Sequence, residues 1–498
     1  MTSSRFLKRS LLLNALFTVE GASNFVLDIV LAAALGVGAR SDTLYAAWSL
    51  PLTLGRGAFQ SLTNSLIGLF AESDDDTVAY SHALTVIGLI AFALALTMSL
   101  TSRWWFPLSV PGAAAQTRLE GAPLAALLSW LVVMLALAET QRAIYYRLGK
   151  NTYPSAVRVL GALASIIFIL FSAREQNIQL AAYGLVAGAS IEMVLGFAGL
   201  LAMGRRLRFA WPETAKLRRM GQVVGLPLIG QLILIAASTA ERAIASYLGP
   251  GALTAVTYAN RIFAMMERFI FRGFVISAIQ SYTAGAASNW RRDIRILLLF
   301  SIPIMVVFAV LPAPLIAIVF ERGRFTAEST QLVATTLRFF AFAVPIVAFN
   351  RIPYALAFAK TRGRAILIYS IIYAVILIGA EVALVSLGVG LPAFGVAYIL
   401  ALAAGSYWLY TRVMDGAESI AWTTDETMRM AGVALVASAG TGLVVYLLNR
   451  QIAEPTWNAW TIALAGGAAS LLLTGGAMWL FRLPEVERVW HLLSKVNR

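Results

Sequence analysis

Apolar stretches of about 20 residues recur along the whole chain, and no other feature restricts the possible folds as strongly. A helix of that length crosses the roughly 30 Å hydrocarbon core of a bilayer while satisfying its backbone hydrogen bonds internally. The composition agrees, because 59% of the residues are hydrophobic and 13% are charged, against about 25% charged residues in a soluble domain. The sequence therefore predicts an all-α polytopic membrane protein.

Fourteen of these stretches are predicted to cross the membrane. The first contains Glu20 and Asp28 and lacks a small-residue cleavage site, so it is interpreted as a retained span rather than a secretory signal. The predicted spans are 11–36, 42–70, 80–100, 123–147, 153–172, 179–204, 220–248, 252–283, 296–320, 331–359, 365–388, 391–411, 430–448 and 457–481.

Lysine and arginine are unevenly divided between the two sides of the membrane. With the N-terminus placed in the cytoplasm, 24 of the 39 cations fall in cytoplasmic segments, 7 on the other side and 8 within spans. The cytoplasmic set includes Arg158, counted with the loop after the fourth span. Because cations favour cytoplasmic loops, both termini are predicted to be cytoplasmic. The net charge of +14 is thus mostly a topology signal, and nucleic-acid binding is not predicted.

The residue types exclude several kinds of site. The chain has no cysteine, and its two histidines, His82 and His491, are far apart in sequence. Thiolate chemistry and cysteine metal sites are therefore excluded, and a histidine metal cluster is not expected. No cofactor and no metal are predicted.

The stretch YANRIFAMMERFIFRG, residues 258–273, places arginines inside an apolar run. On a helix that advances about 100° per residue, Arg261, Arg268 and Arg272 lie within roughly 20° of one another and form a stripe. Arg261 is near the bilayer midplane, where a cation costs about 3 kcal/mol or more. It is predicted to face a polar cavity, with a structural ion pair as the alternative. Arg272 either extends the stripe or snorkels to the cytoplasmic interface.

A shift of 213 residues aligns two parts of the chain. It places LGVGARSDTLYAA (35–47) on LGPGALTAVTYAN (248–260), and Asp28 on Glu241. Six predicted spans separate the copies, so both have the same orientation, as in transporters built from parallel repeats. The predicted parts are an N-lobe (1–204), a cytoplasmic linker (205–219), a C-lobe (220–413), and two further helices with a cytoplasmic tail (414–498).

Charged residues inside the spans concentrate in the first two spans of each lobe. They are predicted to line a mainly cationic path that suits a large anion, with carboxylates holding the arginines when the anion is absent. Pro51 and Gly55 mark a place where the second span is predicted to bend. The arginines are Arg56, Arg242, Arg261, Arg268, Arg272, Arg338 and Arg351, and the carboxylates are Glu20, Asp28 and Glu241.

Four sequence patches carry a resemblance to a known family. The strongest is VFERGRFTAEST (319–330), followed by TYANRI (257–262), RIPYALAFAKTRGRA (351–365) and LGVGARSDTLYAAWSLP (35–51). These patches and the fourteen-span plan resemble the MurJ/MviN-type lipid-linked oligosaccharide flippases of the multidrug/oligosaccharidyl-lipid/polysaccharide exporter superfamily. The resemblance covers nearly the whole chain.

The resemblance implies a multi-pass transporter of the bacterial inner membrane, and no enzymatic activity. Such a transporter moves an undecaprenyl-pyrophosphate-linked cell-wall precursor, lipid II, from the cytoplasmic to the outer leaflet by alternating access. The expected partners are the lipid-linked oligosaccharide pyrophosphate, the membrane, and enzymes of cell-wall or polysaccharide synthesis. A lipid-linked exopolysaccharide or O-antigen repeat unit is the alternative substrate, and a cation-coupled drug exporter is a weaker alternative.

Site residues follow from the resemblance together with the charge pattern. The expected substrate-binding residues are Arg261, Arg56, Arg268, Asn260, Arg351 and Arg272. The expected ion-pair or coupling residues are Asp28, Glu241, Arg242 and Glu20. Asp42 also matches a family position.

This chain departs from the family pattern at three positions. Leu27 stands where peptidoglycan-precursor members carry an arginine before the aspartate, Gly55 replaces the first of two adjacent arginines, and Asn260 replaces an aspartate. Two cations and one anion are therefore missing. The particular substrate is therefore left open. It is also left open whether Arg268, Arg272 or Arg242 replaces the missing charges.

Overall fold

The computed structural model describes residues 3–59, 66, 70, 76–150, 152–175, 177–205, 208–270, 290–359, 362–413, 424–451 and 455–481. Over these ranges the regular secondary structure is helical. Eleven segments within them are long and apolar enough to cross a membrane, and they coincide with eleven of the fourteen predicted spans. The predicted all-α membrane fold is therefore confirmed. Spans 11–36, 42–70 and 252–283 are not among the eleven, so the count of fourteen stays a prediction.

Packing divides the chain into two compact units. Unit 1 comprises Met1–Thr254 and Arg322–Phe325, and unit 2 comprises Ala255–Glu321 and Thr326–Arg498. This division differs from the lobes predicted from the repeat, because it joins residues 220–254 to the first unit. The predicted lobe boundaries remain a separate hypothesis.

Unit 1 contains nine helices within the described residues. Its apolar core lies between α3, α6 and α9 and includes Tyr80, Ile144 and Ile235. Helix α7 packs against α1 and α8, so the charged residues on these helices are brought together inside the unit. The helices are α1 (Ser3–Leu35), α2 (Ala39–Leu52), α3 (Asp76–Leu100), α4 (Ser102–Ser109), α5 (Ala115–Leu128), α6 (Leu131–Arg147), α7 (Thr152–Glu175), α8 (Ile178–Ala202) and α9 (Thr214–Ala245).

Unit 2 contains the remaining helices. Helices α17 and α18 pack on each other and on α11 through Ile302, Val306, Val433, Ala437 and Ala477. The helices are α10 (Ala252–Ile270), whose first three residues belong to unit 1, α11 (Trp290–Val310), α12 (Pro312–Phe320), α13 (Ala327–Phe340), α14 (Val344–Ala359), α15 (Gly363–Ser386), α16 (Pro392–Val413), α17 (Thr424–Gln451) and α18 (Pro455–Leu480).

The same local structure occurs twice at the offset found in the sequence. Helix α1 ends at Leu35 and α2 begins at Ala39, while the 3-10 turn after α9 ends at Leu248 and α10 begins at Ala252. The turns contain Gly36 with φ 69° and Gly249 with φ 99°. The 213-residue shift therefore relates two segments with the same helix end, turn and helix start.

Candidate functional site

Six charged side chains meet inside unit 1. We call them the charge network: Glu20 on α1, Arg56 on the π-helical turn Thr53–Ala58 that follows α2, Glu139 and Arg142 on α6, Arg158 on α7 and Glu192 on α8. Three arginines face three glutamates, so the formal charges of the network cancel. Five separate segments of the chain thereby contribute to one electrostatically neutral site.

Arg158 is the centre of the charge network. Its Nη1 donates to Glu20, its Nη2 donates to Glu139, and its Nε donates to Glu192 at 3.0 Å. One guanidinium group thus binds three carboxylates from three different helices. The fixed, planar arrangement of its N–H groups allows this, and a lysine ammonium group cannot reproduce it.

Arg142 and Arg56 lie at opposite edges of the network. Arg142 donates to the second oxygen of Glu20 and lies 5.9 Å from the centre of the Tyr146 ring. Arg56 donates through Nη2 to Glu192, and its Nε is 3.8 Å from Glu139 Oε1. The side chain of Arg56 is 21% exposed, whereas those of the other five members are 11% exposed or less. Arg56 is therefore the member that a ligand can reach most easily.

Burial makes the mutual pairing of these charges necessary. An ionised group without a partner inside a bilayer-spanning bundle is costly, and removing one partner of a buried pair leaves an uncompensated charge. Each of the three glutamates of the network contacts two arginines. Among the described residues no group of three or more His, Asp or Glu is placed to hold a metal ion.

Small residues bring α7 and α8 close enough to form the network. A Cβ on Gly161 would lie 2.6 Å from the carbonyl oxygen of Gly188, so neither position has room for a side chain. Gly161 is one turn after Arg158, and Gly188 is one turn before Glu192. Close approach of transmembrane helices at small residues is common, and here it sets the 3.0 Å contact between Arg158 and Glu192.

The π-helical turn positions Arg56. Pro51 lies inside α2 two residues before the turn and interrupts the helical hydrogen-bond pattern, and π turns occur often at functional sites. A Cβ on Gly55 would lie 2.9 Å from Leu131 O and Val132 Cα of α6. The arginine that the resemblance implies at this position in peptidoglycan-precursor members has no room here, and the absence of that side chain lets the turn pack directly on α6.

Unit 2 holds a second set of the predicted residues. Arg261, partly buried, and Arg268 lie two turns apart on the continuous helix α10, and Asn260 is also partly buried there; the stripe stays a prediction. Arg351 on α14 forms an ion pair with Glu267 on α10, and these side chains are 24% and 29% exposed.

Four other predicted residues have no established role in the two clusters. Asp28 on α1 and Glu241 on α9 are each buried to 9% exposure. Arg242, next to Glu241, has a buried Nη1 without a hydrogen-bond partner among the described residues. Arg272 lies outside the described residues. The roles of these residues remain predictions.

Asp42, in the first turn of α2, binds the start of α10. Its Oδ2 accepts a hydrogen bond from Gly251 N at 2.6 Å, and its Oδ1 accepts one from Thr254 N at 2.8 Å. A carboxylate at a helix N-terminus satisfies unpaired amides and faces the positive end of the helix dipole. Thr254 also contacts Ser41, Oγ1 to Oγ at 3.1 Å. Ser41 and Thr254 are 213 residues apart, so two positions related by the predicted repeat touch each other.

Sequence reasoning found two members of the charge network and missed four. Glu20 and Arg56 were predicted as site residues, whereas Glu139, Arg142 and Glu192 were not. The available signal was their position in the interiors of predicted spans, where each interrupts an apolar run. Assigning Arg158 to the cytoplasmic loop was wrong. It is inside α7 and only 4% exposed, because three buried glutamates bind it.

Comparisons with known proteins agree with this architecture. A family model described as "Lipid II flippase MurJ" matches residues 31–425. A curated "Probable lipid II flippase MurJ" of Vibrio cholerae is 23% identical over 370 residues, which is 67% of this chain and 69% of that protein. A protein of the same description from Rhizobium tropici is 24% identical over 372 residues, covering 67% of this chain and 68% of that protein.

Solved structures show the same fold. The structure "Lipid II flippase MurJ, inward closed conformation" aligns with a TM-score of 0.79 at 16% identity, over 95% of this chain and 100% of that chain. An inward-facing multidrug resistance transporter of the MATE family, in the MOP superfamily, aligns with a TM-score of 0.66 at 16% identity, over 79% of this chain and 94% of that chain. Because the family model spans well over half of the residues, the chain belongs to the MurJ lipid II flippase family.

Proposed function

We propose that this protein is a lipid II flippase. It moves the undecaprenyl-pyrophosphate-linked precursor from the cytoplasmic to the outer leaflet of the bacterial inner membrane by alternating access. Family membership and the curated relatives support the substrate. The structural observation that carries the proposal is the exposure of Arg56. Its side chain is 21% exposed, whereas the other members of the neutral charge network are buried more deeply.

The charge network holds the Arg56 side chain in a fixed position from which it can bind a diphosphate. Glu192 binds one side of the guanidinium group and Glu139 lies 3.8 Å from its Nε, so the side chain is held before the substrate arrives. Arginine stays charged at any working pH and can engage two phosphate oxygens through parallel hydrogen bonds. Glu139 and Glu192 are therefore positioning residues, and Arg56 is the residue that contacts the diphosphate.

Unit 2 contains its own arginines that we assign to substrate binding. Arg261 contacts the diphosphate, and Arg268 continues the cationic face of α10. Their positions on one face of a continuous helix support this assignment. Arg351 is held by Glu267 while the site is empty, and its side chain is accessible enough to exchange this partner for a phosphate oxygen. Asn260 and Arg272 are assigned to the same set from the family motif and the sequence stripe.

Other aspects of the proposal follow from the family and the charge distribution. Both termini are assigned to the cytoplasm, and the protein acts as a transporter without enzymatic chemistry. Enzymes that make or use the lipid-linked precursor are its expected partners. The residues assigned to contact the substrate are mostly arginines, which favours a pyrophosphorylated lipid over a lipophilic cation, so a drug-export function is not proposed.

Transport of fluorescent lipid II in reconstituted vesicles tests this function. We expect the wild type to make the lipid accessible to an impermeant quencher in the opposite leaflet. Arg56→Ala and Arg261→Ala are each expected to lower the rate at least about tenfold, the effect of losing a charge-assisted contact that contributes about 1.5–3 kcal/mol. Lysine at either position should restore little, because it cannot form the paired contact.

Arg103→Ala is the matched control, since Arg103 is exposed on α4 outside the charge network. It should leave transport unchanged. Wild-type transport by properly folded Arg56→Ala protein would contradict the assigned role of Arg56. Wild-type protein that moves a polyprenyl-pyrophosphate-linked O-antigen unit, but not lipid II, would contradict the proposed substrate.

A further inference from the structure

The segment between α8 and α9 is hydrogen-bonded to one face of α3. We call residues 208–213, with the sequence RFAWPE, the strap. The backbone N–H of Arg208 donates to Ser81 Oγ at 3.2 Å, and that of Ala210 donates to Thr85 Oγ1 at 3.1 Å. Just before the strap, Arg205 Nη1 donates to Thr77 Oγ1 at 3.2 Å. Hydroxyl groups of α3 thus satisfy backbone donors that a non-helical segment would otherwise leave unpaired.

The three hydroxyls set the depth of the strap. Thr77, Ser81 and Thr85 are spaced four residues apart, so they lie on one face of α3 at intervals of about 6 Å along its axis. Thr77 is the first residue of a 24-residue membrane span, which is about 36 Å long against a hydrocarbon core of roughly 30 Å. If the span is centred, Ala210 lies roughly 9 Å below the edge of the core. The strap therefore dips from the membrane surface into the apolar region.

Two aromatic side chains of the strap are largely exposed. Phe209 is 76% exposed and Trp211 is 59% exposed. The depth inferred for Ala210 implies that these rings meet lipid rather than water. Amphipathic membrane anchors bury their aromatic and aliphatic side chains about 5–10 Å into the boundary between headgroups and acyl chains, and the depth inferred for Ala210 falls in this range.

Basic residues flank the aromatic pair. Arg208 is exposed, Arg205 is partly exposed, and Lys216 and Arg218 are exposed in the first turns of α9. Those turns come just before 220–248, the predicted membrane span of this helix. The cations therefore lie near the headgroup layer while the aromatic rings lie deeper. Basic residues near an anionic membrane surface are attracted to its headgroups.

We propose that the strap is a binding site for an anionic phospholipid of the leaflet that α3 enters first. Phe209 and Trp211 pack among its acyl chains, and Arg205 and Arg208 bind its phosphate headgroup. This site is separate from the charge network. The bound lipid attaches the segment between α8 and α9 to the membrane. The hydrogen bonds of the strap attach the same segment to α3.

Single-cysteine labelling measures the depth of the strap without background, because the chain contains no cysteine. A spin label at Trp211→Cys is compared with labels at Ile90→Cys, on the exposed face of α3, and Lys150→Cys, in the exposed loop after α6. In vesicles, collision with oxygen and with a water-soluble nickel chelate gives the depth of each label. We expect residue 211 to lie between the two references, about 5–10 Å below the headgroups. Water accessibility equal to that of residue 150 would overturn the proposal.

Headgroup preference is tested with a fluorescent label at Phe209→Cys and brominated lipids as quenchers. Brominated phosphatidylglycerol should quench this label at least about threefold more effectively than brominated phosphatidylcholine at equal mole fraction, and high salt should reduce the difference. The double variant Arg205→Gln/Arg208→Gln should remove the preference and leave the depth unchanged. Arg103→Gln/Arg118→Gln, which neutralises two arginines on α4 and α5, should retain it. Equal quenching by both lipids in the otherwise unaltered protein would overturn the headgroup assignment.

Discussion

Arg158 holds three buried carboxylates together with a single guanidinium group. Glu20, Glu139 and Glu192 come from three different helices, and each accepts a hydrogen bond from a different nitrogen of Arg158. Its side chain is 5% exposed, so water cannot replace these contacts readily. The stability of the bundle in unit 1 therefore depends more on Arg158 than on the accessible Arg56.

Substitution of Arg158 tests this difference. Arg158→Ala is expected to lower the free energy of unfolding by about 3–5 kcal/mol, because it leaves buried carboxylates without their main partner. Thermal unfolding of detergent-solubilised protein measures the loss. Arg174→Ala, an exposed position on the same helix, is the matched control and should change stability little. Equal melting temperatures for both variants would show that the network contributes no net stability.

Single residues were only partly predictable from the sequence. Glu20 and Arg56 stood out because they are charges inside the first two predicted spans, and the resemblance added weight to Arg56. Their partners were missed because a pairing between Arg158 and Glu20, 138 residues apart, is set by how α1 packs on α7. A charge inside one apolar run indicates that a partner is needed but does not identify it.

At the scale of elements, the π-helical turn after α2 decides where Arg56 lies. Gly55 and Gly57 are both in this turn, but their surroundings differ. A Cβ at residue 55 would lie 2.9 Å from the α6 backbone, whereas one at residue 57 would have no neighbour closer than 3.9 Å. The turn is therefore packed tightly on one side and has space on the other.

This asymmetry gives a matched pair of variants. Gly55→Ala is expected to push the turn away from α6, displace Arg56 from Glu192 and lower lipid II transport strongly, since backbone atoms cannot yield as a flexible side chain can. Gly57→Ala should keep most of the activity. Lipid II transport rates of the two variants, measured in vesicles of the same composition, test this expectation. Similar rates would mean that the contact with α6 does not position Arg56.

Elements were more predictable than their irregularities. Hydropathy located eleven spans that the structure confirms, because length and apolar content are properties of each segment alone. Pro51 and Gly55 indicated a bend in the second span. The π-helical turn itself depends on how closely α6 approaches, and the sequence around residue 55 carries no information about that approach. The strap was likewise predicted only as part of the cytoplasmic linker 205–219, since its depth depends on hydroxyls of α3.

At the scale of the whole molecule, two independent sequence signals predict how the chain crosses the membrane. The excess of lysine and arginine in alternate loops predicts cytoplasmic termini, and the 213-residue shift predicts two repeats of the same orientation. The recurrence of the same turn and helix start at this offset supports the repeat. Both signals must place equivalent loops of the two repeats on the same side of the membrane.

Arg174 and Leu387 provide the sharpest test, because they are 213 residues apart and both are exposed at the end of a span. Cysteine at either position should react with a membrane-impermeant maleimide in cells whose outer membrane alone has been opened. Cysteine at Lys150 or Arg364, in loops predicted to be cytoplasmic, should react only after the inner membrane is opened as well. Protection of both 174 and 387 with reaction at 150 and 364 would invert the orientation. Reaction at only one member of the 174 and 387 pair would contradict the parallel repeat, because two segments related by that symmetry cannot end on opposite sides of the bilayer.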